Sequence, residues 1–186
     1  MNFHVLSHEV LYRGKVFDLE VDHIEYDTGA KGVRETARHP GGAVAVPLFP
    51  DATVLMVRQF RYPVQRFTLE LPAGKLNPGE DPANAAVREL EEETGWMANH
   101  LEKLTALLTT PGFCNEVLHI FLATDLAESP HGTRREEGER DMTLERIPLV
   151  EAIARVERQE IVDSKTIAGL FLAERRVRNS QEHPAR

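Results

Sequence analysis

Cys114 is the only cysteine, which excludes an intrachain disulfide. No apolar run is long enough for a membrane-spanning helix. The opening MNFHVLSHEV lacks the basic start and apolar stretch of a secretory leader, so the sequence predicts a cytoplasmic protein with no membrane partner. Positive charge is also scarce: 22 Lys and Arg stand against 30 Asp and Glu, a net charge of −8. A nucleic-acid surface needs a basic patch, so that class of partner is excluded. A small phosphate ligand is not excluded, because one metal cluster neutralises its charge. No repeat of solenoid or propeller period is found. What is present is 186 residues, 41% apolar and 28% charged, which suits one domain of ordinary size with at most a small appendage.

The first forty residues read as strands. Phe17, Leu19, Val21 and Ile24 interleave with Asp18, Glu20 and Asp22, near the period of a half-buried strand. The segments 5–12 and 33–37 are weaker strand candidates. HPGG at 39–42 is turn punctuation, so a β-rich N-terminal segment (1–40) is expected before a main domain (41–186). Strands are predicted at 43–49, 53–60, 67–74, 103–109, 117–123 and 143–147. A helix begins at Asp81 as N-cap with Pro82 in its first turn, buries Ala83, Ala86, Val87 and Leu90, and ends at Gly95. Two more helices are predicted, at 149–160 and from 163 or 164 toward 178. The polar segment 128–141 reads as a mobile loop. This order predicts an α/β or α+β sandwich.

Four acids, Glu89, Glu91, Glu92 and Glu93, crowd the end of the first helix. Spacings of three and four place Glu89, Glu92 and Glu93 on one face, with Glu91 pointing elsewhere. A solvated acidic face is the ordinary explanation of such a run. Here, however, the acids occupy the last turns, where the helix dipole disfavours negative charge. Arg88 offers one positive charge against four. A divalent cation would supply the remainder, and hard carboxylate oxygens favour Mg²⁺, or Mn²⁺ in its place, over zinc.

Residues 74–96 resemble the Nudix box, G-x5-E-x7-R-E-U-x-E-E-x-G-U, where U is apolar. Gly74, Glu80, Arg88, Glu89, Leu90, Glu92, Glu93, Gly95 and Trp96 all fall in register. The resemblance implies an α/β/α sandwich around a mixed sheet and hydrolysis of a nucleoside diphosphate linked to another group. It implies Glu89, Glu92, Glu93 and the carbonyl of Ala73 as metal ligands. Glu80 and Arg88 would join loop to helix by an ion pair, with Gly74 and Gly95 structural.

The flanks VRQFRY (57–62), LELPAGKL (69–76), TTPGFCNEVLHIFLA (109–123) and IVDSKTIAGL (161–170) resemble the ADP-ribose and nucleotide-sugar pyrophosphatase branch. Pro111 stands where that branch carries a proline accompanying ADP-ribose preference. The implied reaction is ADP-ribose to AMP and ribose 5-phosphate; the alternatives are another nucleotide sugar such as GDP-mannose, or a non-catalytic nucleotide sensor. The branch forms homodimers in which the N-terminal strands help build the partner's site.

Arg58 and Arg61 are expected to clamp the diphosphate, the alternative being a surface strand of alternating charge. Arg38 and Glu35 are candidates for reaching adenine or phosphate across the dimer. Glu116 is a candidate for ribose or metal. Phe17 and Phe60 read as core packing rather than base-stacking groups. Metal-bound glutamates are poor proton acceptors, so the general base is expected on the segment carrying Glu136, Glu137 and Glu139. Glu139 is the first choice, being nearest the following strand, and Glu137 the second; Glu93 completes the catalytic set.

Overall fold

The alternating segment around Val21 folds as the middle of an antiparallel sheet in order β1 (Phe3–Arg13), β2 (Asp18–Tyr26), β3 (Lys31–Arg38). The computed structural model describes residues 2–135 and 137–182, without the side chains of 180–182. Val21 and Ile24 are the buried apolar residues of β2. Phe17 is 43% exposed, so its expected core role is overturned. Among the described residues of the unit that holds this sheet there is no helix.

Met1–Gly41 form one compact unit together with Leu108–Val117. Ala37 bridges Cys114 in parallel, and its N–H donates to the Phe113 carbonyl at 2.8 Å. The His39 N–H donates to Asn115 Oδ1 at 2.7 Å. The second stretch was invisible to a boundary drawn from turn residues alone.

The second unit comprises Gly42–Leu107 and Leu118–Arg186. Its elements are β4 (Gly42–Pro47), β5 (Thr53–Arg61), β6 (Arg66–Glu70), β7 (Ala73–Lys75), α1 (Pro82–Thr94), β8 (Trp96–Leu108), β9 (Val117–Glu128), β10 (Thr143–Pro148), α2 (Leu149–Glu157) and α3 (Ser164–Glu182). One sheet runs β7-β4-β9-β8, with β4 parallel to β9 and antiparallel to β7. The other runs β10-β5-β6, with both pairs antiparallel.

Every residue of β4 is buried, and the strand period sorts them by face. Ala43 and Ala45 pack with Ala85, Ala86 and Leu90 of α1. Val44 and Val46 pack with Leu71, Ile120, Leu170 and Ala173. Small residues on the first face let α1 lie close to the strand; branched ones fill the second. Helices on both faces make this the α/β/α sandwich that the family resemblance implies.

The strand expected at 67–74 is split into β6 and β7, and β9 runs on past 123 to Glu128. β8 starts at Trp96, well before 103, because the chain leaves the Gly95 cap directly as a strand. Phe60 is 43% exposed and meets Phe67 edge-on rather than lying in the core. Among the described residues no helix is long and apolar enough to cross a membrane.

Candidate active site

Helix α1 is built to carry its load of acids. Asp81 caps it, accepting from Ala83 N–H at 2.8 Å and Asn84 N–H at 3.4 Å, with Pro82 in the first turn. Gly95 closes it at φ 75°, a left-handed conformation that favours glycine. Arg88, six residues before the end, binds the incoming loop. Its Nε and Nη2 donate to Glu80 Oε1 and Oε2 at 2.9 and 3.0 Å, and Nη2 also reaches the Lys75 carbonyl at 3.2 Å. The Arg88 hydrogen bonds, with one from Asn77 N–H, hold Glu80 down at about 2.

The same guanidinium serves the acidic face. Arg88 Nη1 donates to Glu89 Oε1 at 2.6 Å and to Glu92 Oε2 at 3.1 Å. Glu93 is 3% exposed, and its Oε2 accepts only a 3.2 Å bond from Ala73 N–H among the described contacts. Burial, then the charges of Glu89 and Glu139, push Glu93 up to about 8. Burial also raises Glu89. Gly74 matters through its lack of a side chain: a Cβ there would lie 1.9 Å from Glu89 Cδ, so only glycine lets that carboxylate settle over the loop.

These residues suit a divalent cation by the chemistry of their donors. All are hard carboxylate oxygens, and the two most buried carry more negative charge than their surroundings neutralise. Glu89 and Glu92 share Arg88 while Glu93 turns to the Ala73 amide. Among the described residues, no three acidic, histidine or cysteine side chains converge as a ready metal cluster.

Within the polar segment predicted as a mobile loop, residues 129–135 are hydrogen-bonded to α1. Ser129 N–H donates to the Gly95 carbonyl at 2.7 Å, and Arg134 N–H to the Glu92 carbonyl at 2.8 Å. Arg135 Nε donates to the Glu93 carbonyl at 2.9 Å, and its Nη1 to the Met142 carbonyl at 2.5 Å. Carbonyls at a helix C-terminus lack intrahelical donors, and two arginines supply them. Glu91, which points away from the shared acidic face, accepts from Ser129 Oγ at 2.6 Å and faces Arg134 Nη2 at 3.5 Å.

Beyond this anchor, Glu137–Glu139 form a 3₁₀ turn. Glu137 is out in solvent, paired with Arg140 at 2.7 Å. Glu139 lies close enough to Glu89 and Glu93 for its charge to raise both. Glu136 lies outside the described residues.

Other candidates fall in different surroundings. Arg61 is bidentate on Glu70, with Nε to Oε1 at 2.8 Å and Nη2 to Oε2 at 2.6 Å. Arg58 is exposed and stacks its guanidinium over Phe67 at 4.4 Å. In the other unit, Arg38 pairs with Glu20 at 2.5 Å, Glu35 is exposed on β3, and Glu116 Oε1 lies 3.2 Å from His39 Nδ1. Sequence reasoning missed Glu70, Lys165, Arg134 and Arg135. Only Lys165 left a trace, as a lysine just inside the N-terminus of an otherwise apolar helix segment.

A NUDIX domain matches residues 39–167. The chain is 40% identical over 161 residues to an ADP-ribose pyrophosphatase of Bacillus subtilis (strain 168), covering 87% of this chain and 86% of that one. It is 37% identical over 159 residues to a methanol dehydrogenase activator of Bacillus methanolicus, covering 86% and 85%. A crystal structure of an ADP compounds hydrolase aligns with TM-score 0.84 over 97% of this chain and 96% of that one; at 23% identity this is a likeness of fold.

Proposed function

The chain belongs to the Nudix family, and from that premise we propose that it hydrolyses the diphosphate of ADP-ribose to AMP and ribose 5-phosphate. The observation that carries this reading is the acidic end of α1, where Glu89 and Glu92 share Arg88 and buried Glu93 meets the Ala73 amide beside the side-chain-free Gly74. The extended likeness to the Bacillus subtilis pyrophosphatase supports the choice of ADP-ribose.

Nudix hydrolases use divalent metal ions; the ion proposed here is Mg²⁺, with Mn²⁺ as a substitute. Glu89, Glu92, Glu93 and the Ala73 carbonyl would hold it. When bound, such an ion activates water and neutralises charge on phosphate oxygens. Glu139 acts as general base, taking a proton from the water as its oxygen attacks phosphorus and the bridging P–O bond breaks. Its nearness to Glu89 and buried Glu93 supports this role over Glu137, whose charge is spent on Arg140 in solvent. Arg58 and Arg61 position the diphosphate and balance its equatorial oxygens. Glu80 with Arg88, and Gly74 with Gly95, keep loop and helix in the geometry this requires.

We also propose a homodimer. Phe3, Leu11, Tyr12, Val16 and Val33 are each at least half exposed on the N-terminal sheet or its turn, more apolar surface than one soluble face usually leaves open. Arg38, Glu35 and Glu116 are the residues of that unit proposed to meet substrate in the dimer.

The test is product analysis with ADP-ribose and GDP-mannose, each with Mg²⁺ and with Mn²⁺. AMP release from ADP-ribose is expected. A kcat/KM tenfold or more in favour of GDP-mannose would overturn the substrate, and tight ADP-ribose binding without AMP release would support a sensor instead.

A further inference from the structure

Beside the box, Arg61 belongs to a polar cluster whose other members have no part in the chemistry described so far. Glu70, at the end of β6, is 2% exposed, and each of its oxygens is doubly engaged. Oε1 accepts from Arg61 Nε at 2.8 Å and Thr68 Oγ1 at 2.6 Å. Oε2 accepts from Arg61 Nη2 at 2.6 Å and from Lys165 Nζ. Lys165 is 8% exposed and donates also to Asp163 Oδ2 at 2.9 Å. Lysine is almost never buried unless paired, and here two cations meet two anions.

The backbone is fastened by other atoms. Thr166 Oγ1 donates to Asp163 Oδ2 at 2.6 Å and accepts from Leu71 N–H at 2.9 Å, tying the start of α3 to the strand end just before Pro72. The bond from Leu71 N–H to Thr166 Oγ1 does not use the Lys165 side chain, although Lys165 and Thr166 share Asp163 Oδ2. What Lys165 adds is a second positive charge on Glu70. Without it, Glu70 and Asp163 would oppose Arg61 alone and absorb its charge. Arg61 is 41% exposed and borders a pocket of about 400 Å³ that Lys165 and Thr68 also line.

We propose that Lys165 is a positioning residue for diphosphate binding: by sharing Glu70 with Arg61, it fixes the orientation of that guanidinium and leaves its positive charge available to the substrate. The inference rests on the pyrophosphatase reading, in which Arg61 meets the diphosphate.

A double-mutant cycle between Lys165 and Arg61 tests it. Lys165→Met is expected to raise KM for ADP-ribose roughly tenfold, with kcat changed by less than about threefold. Lys165→Arg should restore KM to within about threefold of wild type. In an Arg61→Ala background, Lys165→Met should add less than about twofold, because its effect passes through Arg61. Equal losses in both backgrounds, or an unchanged KM in folded Lys165→Met, would overturn the proposal. If Lys165→Met does not fold, Thr68→Val carries the same cycle, with a KM rise of about threefold expected only where Arg61 is present. The wild-type protein tests the underlying reading separately. Should it hydrolyse a different nucleoside diphosphate derivative, the cycle is measured on that one; should it bind without turnover, Kd replaces KM.

Discussion

Glu70 and Glu93 are both almost inaccessible to solvent, at 2% and 3% exposure, yet their carboxyl groups are driven in opposite directions. Burial pushes both up. Around Glu70, the Arg61 hydrogen bonds and the charges of Lys165 and Arg61 override burial and hold it at about 2. Around Glu93, the Glu89 and Glu139 charges add to burial and carry it to about 8, against one amide bond from Ala73 and the field of Arg61. Partner chemistry, not depth, decides what a buried acid is for. Glu70 is a finished ion cluster that fixes geometry. Glu93 is left short of positive charge, which is the condition of a group that binds a cation.

The contrast is sharpest if both acids are neutralised in turn. Glu93→Gln is expected to cut turnover by about a thousandfold while the fold persists, since a missing charge in the transition state costs several kcal/mol. In wild type, Mg²⁺ at a hundred times its Kd should stabilise by about 2.7 kcal/mol, and the variant should lose most of that gain in thermal melts. A Glu93→Gln enzyme of normal activity would erase the distinction between the two sites.

Glu70→Gln should instead act on stability, on the order of 3 kcal/mol at neutral pH. The sign follows from the depressed pKa. Its contribution is present above the unfolded carboxylate value and is lost as pH falls from about 4.5 toward about 2. Urea unfolding should therefore show wild type and Glu70→Gln converging across that acid window. A constant gap would mean that the ion cluster is not the source.

Glu139→Gln should lower kcat about a hundredfold, the scale of losing a general base, with metal-induced stabilisation retained. Glu137→Gln should remain within about twofold, because its partner is a surface arginine. Equal effects of the two would remove the reason for separating them. A modest effect belongs to the anchor of the loop: Ser129→Ala, which removes the hydroxyl bond to Glu91, should cost about 1 kcal/mol in thermal unfolding and little in kcat.

Much of this could be read from local pattern. Asp81, Pro82 and Gly95 mark the helix because capping chemistry acts within a turn of its signal. The acids at 89, 92 and 93 fall on one face because the helical period is fixed. The buried run of β4 is an apolar stretch too short for a helix. What escaped reading depends on distance along the chain. Lys165 and Glu70 lie 95 positions apart, and no periodicity joins them. Arg134 and Arg135 looked like ordinary surface charge because the carbonyls they serve belong to another element. Phe17 and Phe60 sit in strand-like alternation, which says that one face is apolar but not that anything covers it. Glu91 was set aside on helical geometry, which describes where a side chain leaves the helix and not what a later loop brings to it.

The arginine anchor has one more consequence. Arg134 and Arg135 fasten the segment leading to Glu139 onto the carbonyls of Glu92 and Glu93, within the turn that carries the metal-ligand candidates. The proposed base and the candidate cation site thus share a common mechanical frame, and breathing elsewhere in the sandwich should move them together. Heating or denaturant should dismantle that frame in a single step, with the amides of 92–95 and 129–135 losing protection from hydrogen exchange as one cooperative group.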